Sequence, residues 1–154
     1  MAKVSAIPEG QHTVTPALTF KNCSEALAFY AKAFGAVETS RAADPSGTKI
    51  WHASFKIGDS TFYCNDEFPE MGATARPGSF WIYGENIDQR FKRAVDAGAQ
   101  ASMPPTDAFW GDRFGVIVDP FGNQWTLAQR IQNLTPAEMK TATDAFTAQQ
   151  SKPS

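Results

Sequence analysis

The same order of sequence signals occurs twice in this chain, about 63 residues apart. Gly35 and Gly98 each follow a helical stripe of apolar residues, and tight turns containing Gly58 and Gly122 each precede a strand-like segment. The first pair is separated by 63 positions and the second pair by 64. Two distant landmarks that keep nearly the same offset indicate an internal duplication. We therefore expect two copies of one structural unit.

The first copy is predicted to contain a strand, a helix and three more strands. Residues 13–20 alternate as a strand does, and Asn22 followed by Glu25 is an N-cap signal for a helix that ends at Gly35. Turn residues then separate three further strand patterns, of which the last two are joined by a two-residue hairpin loop; these strands are 37–43, 50–57 and 60–65.

The second copy repeats this order with one difference. Its second and third strands are separated by residues 104–113, which are expected to form an extended loop, whereas the first copy has a tight turn at that point. A capping box at residues 135–138 opens a C-terminal helix. The predicted organisation is a single domain, 1–154, and its parts are module one at 12–66, a linker at 67–77, module two at 78–130 and the helix at 135–149.

Composition and charge exclude several classes of protein. With 42% hydrophobic residues in 154 and a net charge of -2, the chain is globular and has no basic stripe for nucleic acid. It has no run of 18 apolar residues and no secretory signal, so we expect a cytoplasmic protein without membrane contact. Cys23 and Cys64 are interpreted as small buried thiols and not as a disulfide, a zinc site or a nucleophile.

Three segments carry a resemblance to a known family. The helix LAFYAKAFGA, the Gly58-Asp59 turn and the closing strand DPFGNQW resemble the vicinal oxygen chelate superfamily, which includes glyoxalase I, extradiol dioxygenases and bleomycin resistance proteins. The run FWGDRFGVIVDPFGNQW is most similar to the PhnB-like branch of glyoxalase-like proteins. The resemblance covers residues 12–130. It implies an α+β fold in which two tandem βαβββ modules form a cup-shaped eight-stranded mixed sheet, and it implies a homodimer.

The metal-dependent relatives place their ligands on the first and fourth strands of each module. Matched by motif, those positions here are Thr15, Phe62, Ser79 and Thr126. Hydroxyl and benzyl groups cannot supply the imidazole, carboxylate or thiolate donors that a divalent metal needs. We therefore expect no metal and no other cofactor, and glyoxalase I activity is disfavoured.

Strand alternation predicts which side chains line the cup, because every second residue points to the same side of a sheet. If Gly58-Asp59 is a two-residue loop, Phe55 pairs with Phe62, and both would face the cup. Ligand-contacting aromatic residues are then predicted to be Trp51, Phe55, Phe62, Trp81 and Tyr83. The opposite face, predicted to pack on the helices, carries Leu18, Phe20, Phe80, Ile82, Trp125 and Leu127.

The segment Trp110-Gly111-Asp112-Arg113 is the other candidate for ligand contact. Trp110, Asp112 and Arg113 could place a stacking surface and a bidentate anion donor over the mouth of the cup. In the alternative interpretation, an Arg–Asp pair pins the loop and Trp110 plugs it. His52 is predicted to face away from the cup, and His12 is expected at the surface.

The first hypothesis for function is metal-independent binding of a small, partly aromatic organic molecule, as in antibiotic sequestration. The alternative is a metal-dependent lyase, isomerase or dioxygenase whose ligands come from His12, His52, Asp66 and Glu67. A third possibility is that the cup is filled and the protein acts through partner binding. No residue pattern identifies a general base, so whether the chain is an enzyme stays open.

Overall fold

The computed structural model describes residues 2–153, which divide into two units with the bounds Met1–Gly78 and Ser79–Ser154. In the first unit the order is β1 (Ala17–Phe20), α1 (Cys23–Phe34), β2 (Val37–Ala43), β3 (Ile50–Ile57) and β4 (Ser60–Asp66), followed by a 3-10 turn at Pro69–Met71. The sheet has the order β1-β4-β3-β2. β1 is parallel to β4, and the other neighbours are antiparallel.

The second unit repeats this topology. Its elements are β5 (Ser79–Tyr83), α2 (Ile87–Ala97), β6 (Gln100–Asp107), β7 (Asp112–Val118), β8 (Gln124–Arg130) and α3 (Pro136–Gln150). The sheet order is β5-β8-β7-β6, with β5 parallel to β8. The predicted α+β fold of two βαβββ modules with a C-terminal helix is confirmed, and the strands form two four-stranded mixed sheets.

The duplicated glycines occupy equivalent places in the two units. Gly35 and Gly98 end α1 and α2 with φ of 68° and 123°, and Gly58 and Gly122 lie in the turns before β4 and β8 with φ of 58° and 90°. Residues with a Cβ rarely adopt such positive φ values, so all four positions favour glycine. The repeated spacing in the sequence therefore reflects a repeated backbone requirement.

Helix α1 begins as its sequence predicts. The Asn22 Oδ1 accepts a hydrogen bond from the Glu25 backbone N–H at 3.1 Å. The sequence did not indicate a second cap, from Asp66 at the end of β4. Its Oδ1 accepts from the Cys23 N–H at 2.7 Å and its Oδ2 from the Ile50 N–H at 2.6 Å, so one buried carboxylate joins the start of α1 to the start of β3.

The DPFGNQW segment forms a hydrogen-bonded turn around Asp119. The Asp119 carboxylate accepts from the backbone N–H groups of Phe121 and Asn123 and, at 2.9 Å, from the indole N–H of Trp125. Trp125 is fully buried, so its N–H needs an internal acceptor. This network gives the motif a structural role: it holds the turn that leads into β8.

The extended loop predicted for residues 104–113 is wrong. Residues up to Asp107 belong to β6 and those from Asp112 belong to β7, so only residues 108–111 form the connection. β6 is an outer strand, and its pairing with β7 shifts between Met103 and Thr106. Pro104 and Pro105 fall within that shift, where a missing N–H does not interrupt a continuous ladder.

Helix α2 starts differently from α1. Asn86 has a left-handed backbone with φ of 56° and makes no side-chain cap, and the Ile87 N–H donates instead to Gln129 Oε1 at 3.3 Å. The C-terminal helix α3 has the predicted capping box between Thr135 and Glu138. Within residues 2–153, no helix has the length and apolar character needed to cross a membrane.

Candidate ligand-binding site

Four aromatic side chains meet on one side of the second sheet. This aromatic cluster consists of Trp81, Tyr83, Trp110 and Phe114. The Trp81 ring lies 5.9 Å from Phe114 and 6.1 Å from Tyr83, both near parallel, and 6.5 Å from Trp110. Trp81 and Tyr83 are 49% and 55% exposed. The cluster therefore presents aromatic surface to solvent while its rings support one another.

The faces of β5 follow from its alternation. Phe80 pairs with Trp125 in register, and their rings are 4.7 Å apart on the side that packs on α2. Trp81 and Tyr83 point to the other side, as predicted. Phe114 joins them from β7, and sequence reasoning missed it because it directly follows the predicted loop 104–113 and was assigned to no strand. Ligand contact by Trp81 and Tyr83 stays a prediction.

A buried carboxylate holds the cluster in place. Asp112 is fully buried. Its Oδ2 accepts from the Tyr83 hydroxyl at 2.8 Å and from the Trp110 indole N–H at 2.9 Å, and its Oδ1 accepts from the Arg130 Nε–H. Desolvation first, and then the bond to Asp112, raise the pKa of Tyr83. Asp112 is thus positioned to orient two cluster rings, and its buried oxygens are already engaged.

Gly111 allows this arrangement by bringing two backbone segments close together. Its φ is 95°, and a Cβ at this position would lie 2.6 Å from the carbonyl oxygen of Gln132. The Gly111 carbonyl in turn accepts hydrogen bonds from the N–H groups of Ile131 and Gln132. The turn carrying Trp110 is therefore tied to the segment that follows β8.

Arg113 lies apart from the aromatic cluster. Its guanidinium pairs with Asp88 of α2 at 2.9 Å and with Asp107 of β6 at 3.0 Å. The Asp88 hydrogen bond, followed by that of Asp107, raises the pKa of Arg113 above its ordinary value. This placement agrees with the alternative in which an Arg–Asp pair pins the β6–β7 turn, although the acids are Asp88 and Asp107. The two carboxylates engage the Nε, Nη1 and Nη2 donors of the guanidinium, and an anion-binding role for Arg113 stays a prediction.

The predicted faces of β3 and β4 in the first unit are wrong. Phe55 and Phe62 pair as expected, but Phe55 stacks on Tyr30 of α1 at 5.5 Å and both phenylalanines are buried. In the parallel pair, Leu18 is aligned with Cys64, so the side of β4 that carries Phe62 and Cys64 faces the helix. These phenylalanines form core, where a ligand on the other side of the sheet cannot reach them.

The remaining site prediction in this unit, Trp51, lies near the start of β3. Its ring stacks on Phe68 at 4.3 Å, and the Lys49 ammonium lies 4.8 Å from the centre of the Phe68 ring. Trp51 is 39% exposed. It belongs to a small aromatic–cation group that includes neither Phe55 nor Phe62.

The side of the first sheet opposite α1 is polar. Contrary to prediction, His52 belongs to this face, where its ring lies edge-on to Tyr63 at 4.7 Å. The Tyr63 hydroxyl and the Thr15 hydroxyl both donate to Gln11 Oε1, at 3.0 and 3.1 Å. Thr19 and Asn65 extend this hydrogen-bonding surface along β1 and β4. His12 is exposed, as expected.

The metal ligands of the family do not fit the side chains found here. Thr15 bonds to Gln11, Phe62 faces α1, and Thr126 is buried beside Trp81 in register. If the alignment is shifted by one residue, Tyr63 takes the place of Phe62. Its side chain lies on the side of the sheet opposite α1, but it supplies only a phenol as a metal ligand. Within residues 2–153, no three His, Cys, Asp or Glu side chains cluster so as to hold a metal ion. A divalent metal would therefore lack an adequate donor set at these positions.

The side chains proposed as alternative metal ligands do not come together at one point either. Both Asp66 oxygens are engaged at the starts of α1 and β3, and Glu67 Oε1 accepts from the Ala75 N–H at 2.7 Å.

The two cysteines are buried, as predicted, but the sequence did not indicate that they touch. The Sγ atoms of Cys23 and Cys64 lie 3.2 Å apart. Hydrogen bonding between the thiols, followed by burial, raises the pKa of Cys23.

Comparison with known proteins supports the family suggested by the motifs. An uncharacterised protein of Mycobacterium bovis is 36% identical over 138 residues, which cover 84% of this chain and 90% of that protein. The crystal structure of PA1353 from Pseudomonas aeruginosa has a TM-score of 0.63 at 24% identity, covering 78% of this chain and 98% of that one. A Bacillus cereus structure described as a putative 3-demethylubiquinone-9 3-methyltransferase, PhnB protein, has a TM-score of 0.59 at 22% identity, covering 77% and 99%.

The two structural likenesses concern the fold alone, since both identities are below 25%. Family membership rests on a different comparison, with the sequence model of a whole superfamily. That model matches residues 11–127, which run from before β1 into β8 and leave out α3. The chain belongs to the Glyoxalase/Bleomycin resistance protein/Dioxygenase superfamily.

Proposed function

We propose that this chain binds a small, partly aromatic organic molecule at the aromatic cluster of the second unit, without a metal ion, and that it acts by sequestration. The observation that carries the proposal is that two aromatic side chains are exposed to solvent and yet held in place by neighbouring residues. Trp81 and Tyr83 are 49% and 55% exposed, yet Tyr83 is held by Asp112, and Trp81 is stacked on Phe114. Antibiotics with aromatic rings are the first ligand class to test.

Contact between exposed aromatic rings and water is unfavourable, and a flat ligand that stacks on the rings displaces that water. A ligand that stacks on Trp81 gains more when the ring is already oriented, because less conformational entropy is lost on binding. The half-exposed guanidinium of Arg130 lies beside the cluster and offers N–H donors for a polar substituent. These features suit a ligand with an aromatic body and a polar edge.

The donor set supports the metal-independent part of the proposal, since hydroxyl and aromatic groups occupy the positions at which the family's metal enzymes place their ligands. The proposal includes no reaction, because no residue pattern in the sequence identifies a general base. We propose the cytoplasm as its location, consistent with two cysteine thiols that are not joined although they touch. A homodimer, which the family resemblance implies, is part of the same proposal.

The test is a thermal-shift screen of chelator-treated protein. Aromatic antibiotics and metabolites are screened in one arm and divalent metal salts in the other. A compound present at a hundredfold excess over its Kd stabilises the folded state by about 2.7 kcal/mol. For a chain of this size the midpoint should then rise by roughly 5 to 10 °C. Trp81→Ala should abolish that rise, whereas Met71→Ala, which removes another exposed apolar side chain, should preserve it.

Three results would contradict the proposal. A large shift with a metal salt alone would reopen the metal-dependent enzyme class, and a compound whose shift survives Trp81→Ala would place its site elsewhere. Sedimentation of the same variants separates ligand binding from self-association. If Trp81→Ala converts a dimer to a monomer and no compound shifts the wild type, the aromatic cluster is an interface between copies of the chain.

A further inference from the structure

The C-terminal helix α3 adds an aromatic ring next to the proposed site. α3 (Pro136–Gln150) lies outside residues 11–127, the segment that matches the superfamily. All of α3 is described, and none of its residues is buried. Its Phe146 ring packs on Phe109 with centroids 4.7 Å apart and planes at 29°. The helix is therefore associated with the β6–β7 turn through an aromatic contact at the surface and not through a buried core.

Phe109 connects α3 to the aromatic cluster. Its ring lies edge-on to Trp110 at 5.1 Å, and Trp110 lies 6.5 Å from Trp81. Ring contacts thus continue without interruption from the exposed Trp81, through Trp110 and Phe109, to Phe146. Phe146 is 42% exposed, so part of its surface is still open to solvent after it packs on Phe109. Each end of this series of rings therefore presents aromatic surface.

We propose that Phe109 and Phe146 extend the ligand-binding surface, so that this chain selects elongated molecules with two linked aromatic systems over compact ones. The inference rests on the proposed function of the aromatic cluster. A single fused ring system can cover Trp81 and its nearest neighbours, whereas a molecule that also contacts Phe146 must reach beyond Trp110 and Phe109, which link Trp81 to Phe146 by ring-to-ring steps of 6.5, 5.1 and 4.7 Å. Phe146 is then a specificity residue supplied by a segment outside the superfamily match.

The same contact predicts an effect of ligand on the helix. An isolated helix of 15 residues is marginally stable in water, and α3 has no buried face to compensate. An elongated ligand that touches both Phe146 and the cluster would hold α3 against the second unit. A compact ligand bound at Trp81 would leave the helix as it was. Hydrogen exchange of the α3 amides should therefore slow only with the elongated ligand.

The experiment compares two fluorescent probes of the same chemistry and different length. Anilinonaphthalene sulfonate is the compact probe, and its covalent dimer, bis-anilinonaphthalene sulfonate, is the elongated one. Both are titrated into the full chain and into Phe146→Ala, Phe146→Leu and Gln149→Ala. Gln149 is exposed on the same helix and serves as the matched control. Phe146→Leu keeps an apolar side chain for packing on Phe109 but removes the ring.

Loss of one aromatic stacking partner should weaken binding of the dimeric probe by about tenfold in both Phe146 variants. The compact probe should change by less than about twofold, and Gln149→Ala should behave as wild type for both probes. Equal weakening of both probes would show a general loss of structure and overturn the inference. So would unchanged affinity of the dimeric probe, or protection of α3 by both probes.

The probe titrations distinguish failure of this inference from failure of the proposed function. If both probes bind the wild type and both are lost in Trp81→Ala but not in Phe146→Ala, the cluster is the site and α3 has no part in it. If neither probe binds, or if Trp81→Ala binds both as well as the wild type, the proposed function fails and the inference fails with it.

Discussion

Replacement of Asp112 tests whether one buried carboxylate orients the aromatic cluster. Its two oxygens accept hydrogen bonds from Trp110, Tyr83 and Arg130, and the side chain is fully buried. Asp112→Ala removes all three acceptor interactions at once. Asp112→Asn keeps one oxygen, which can still accept from Trp110 and Tyr83 if the amide nitrogen turns toward the half-exposed Arg130.

The expected loss in the free energy of unfolding depends on which of the hydrogen-bond donors to Asp112 can bond to water instead. The Tyr83 hydroxyl and the Arg130 guanidinium belong to side chains that are about half exposed, so water replaces most of what they lose. The Trp110 N–H is partly buried, and a hydrogen bond to a charged acceptor contributes about 1.5 to 3 kcal/mol. We therefore expect Asp112→Ala to lower the free energy of unfolding by about 2 to 3 kcal/mol, and Asp112→Asn by about 1 kcal/mol.

Urea unfolding followed by tryptophan fluorescence measures both values, and Arg130→Ala is the control for the exposed partner. The Ala variant should also lower the melting temperature by roughly 4 to 12 °C. The indole N–H resonance of Trp110 should shift strongly in Asp112→Ala and little in Arg130→Ala. The reasoning is refuted if Asp112→Ala is within about 0.5 kcal/mol of wild type, or if Asn and Ala cost the same.

Two further substitutions test backbone strain and thiol burial. Gly111→Ala should cost more than about 2 kcal/mol, because its φ is 95° and the new Cβ would lie 2.6 Å from the Gln132 carbonyl oxygen; thermal unfolding measures this, and a near-neutral result would contradict it. Hydrogen bonding to Cys64, followed by burial, raises the folded-state pKa of Cys23 above its ordinary value of 9.0. The contribution of this thiol to the free energy of unfolding is therefore present below pH 9.0 and is lost as the pH rises further. Urea unfolding between about pH 8 and pH 10 should show wild type losing up to about 1.4 kcal/mol per pH unit more than Cys23→Ala, and parallel profiles would refute this.

Much of the fold could be predicted from the sequence because turn chemistry marks its boundaries. The predicted bounds of β2 and β3 match the structure, and each is flanked by glycine or by a polar turn. The β6–β7 region was mistaken because Pro104, Pro105 and Gly111 are typical of loops. In this sheet the prolines lie on an outer strand and the glycine makes one close backbone contact. Composition alone could not separate these cases.

The orientation of the first sheet was mistaken for a different reason. The prediction placed Phe62 on the cup side because family ligand positions were transferred to it by motif. In β3 and β4, however, the apolar residues Ala53, Phe55, Phe62 and Cys64 alternate with polar neighbours, and the parallel register aligns Cys64 with Leu18. Burial of the apolar face would have given the observed orientation, because only one side of these strands can form a core.

The same logic distinguishes the second unit from the first. In β5 both faces are apolar: Phe80 and Ile82 alternate with Trp81 and Tyr83. The helix-facing side already packs with Trp125, so the fold does not need large aromatic residues on the other side. Exposed apolar surface lowers solubility and adds no burial to the folded chain. In the proposed function a ligand would cover these rings, and the hydrogen bonds from Tyr83 and Trp110 to the buried Asp112 would hold those two rings in one orientation for it.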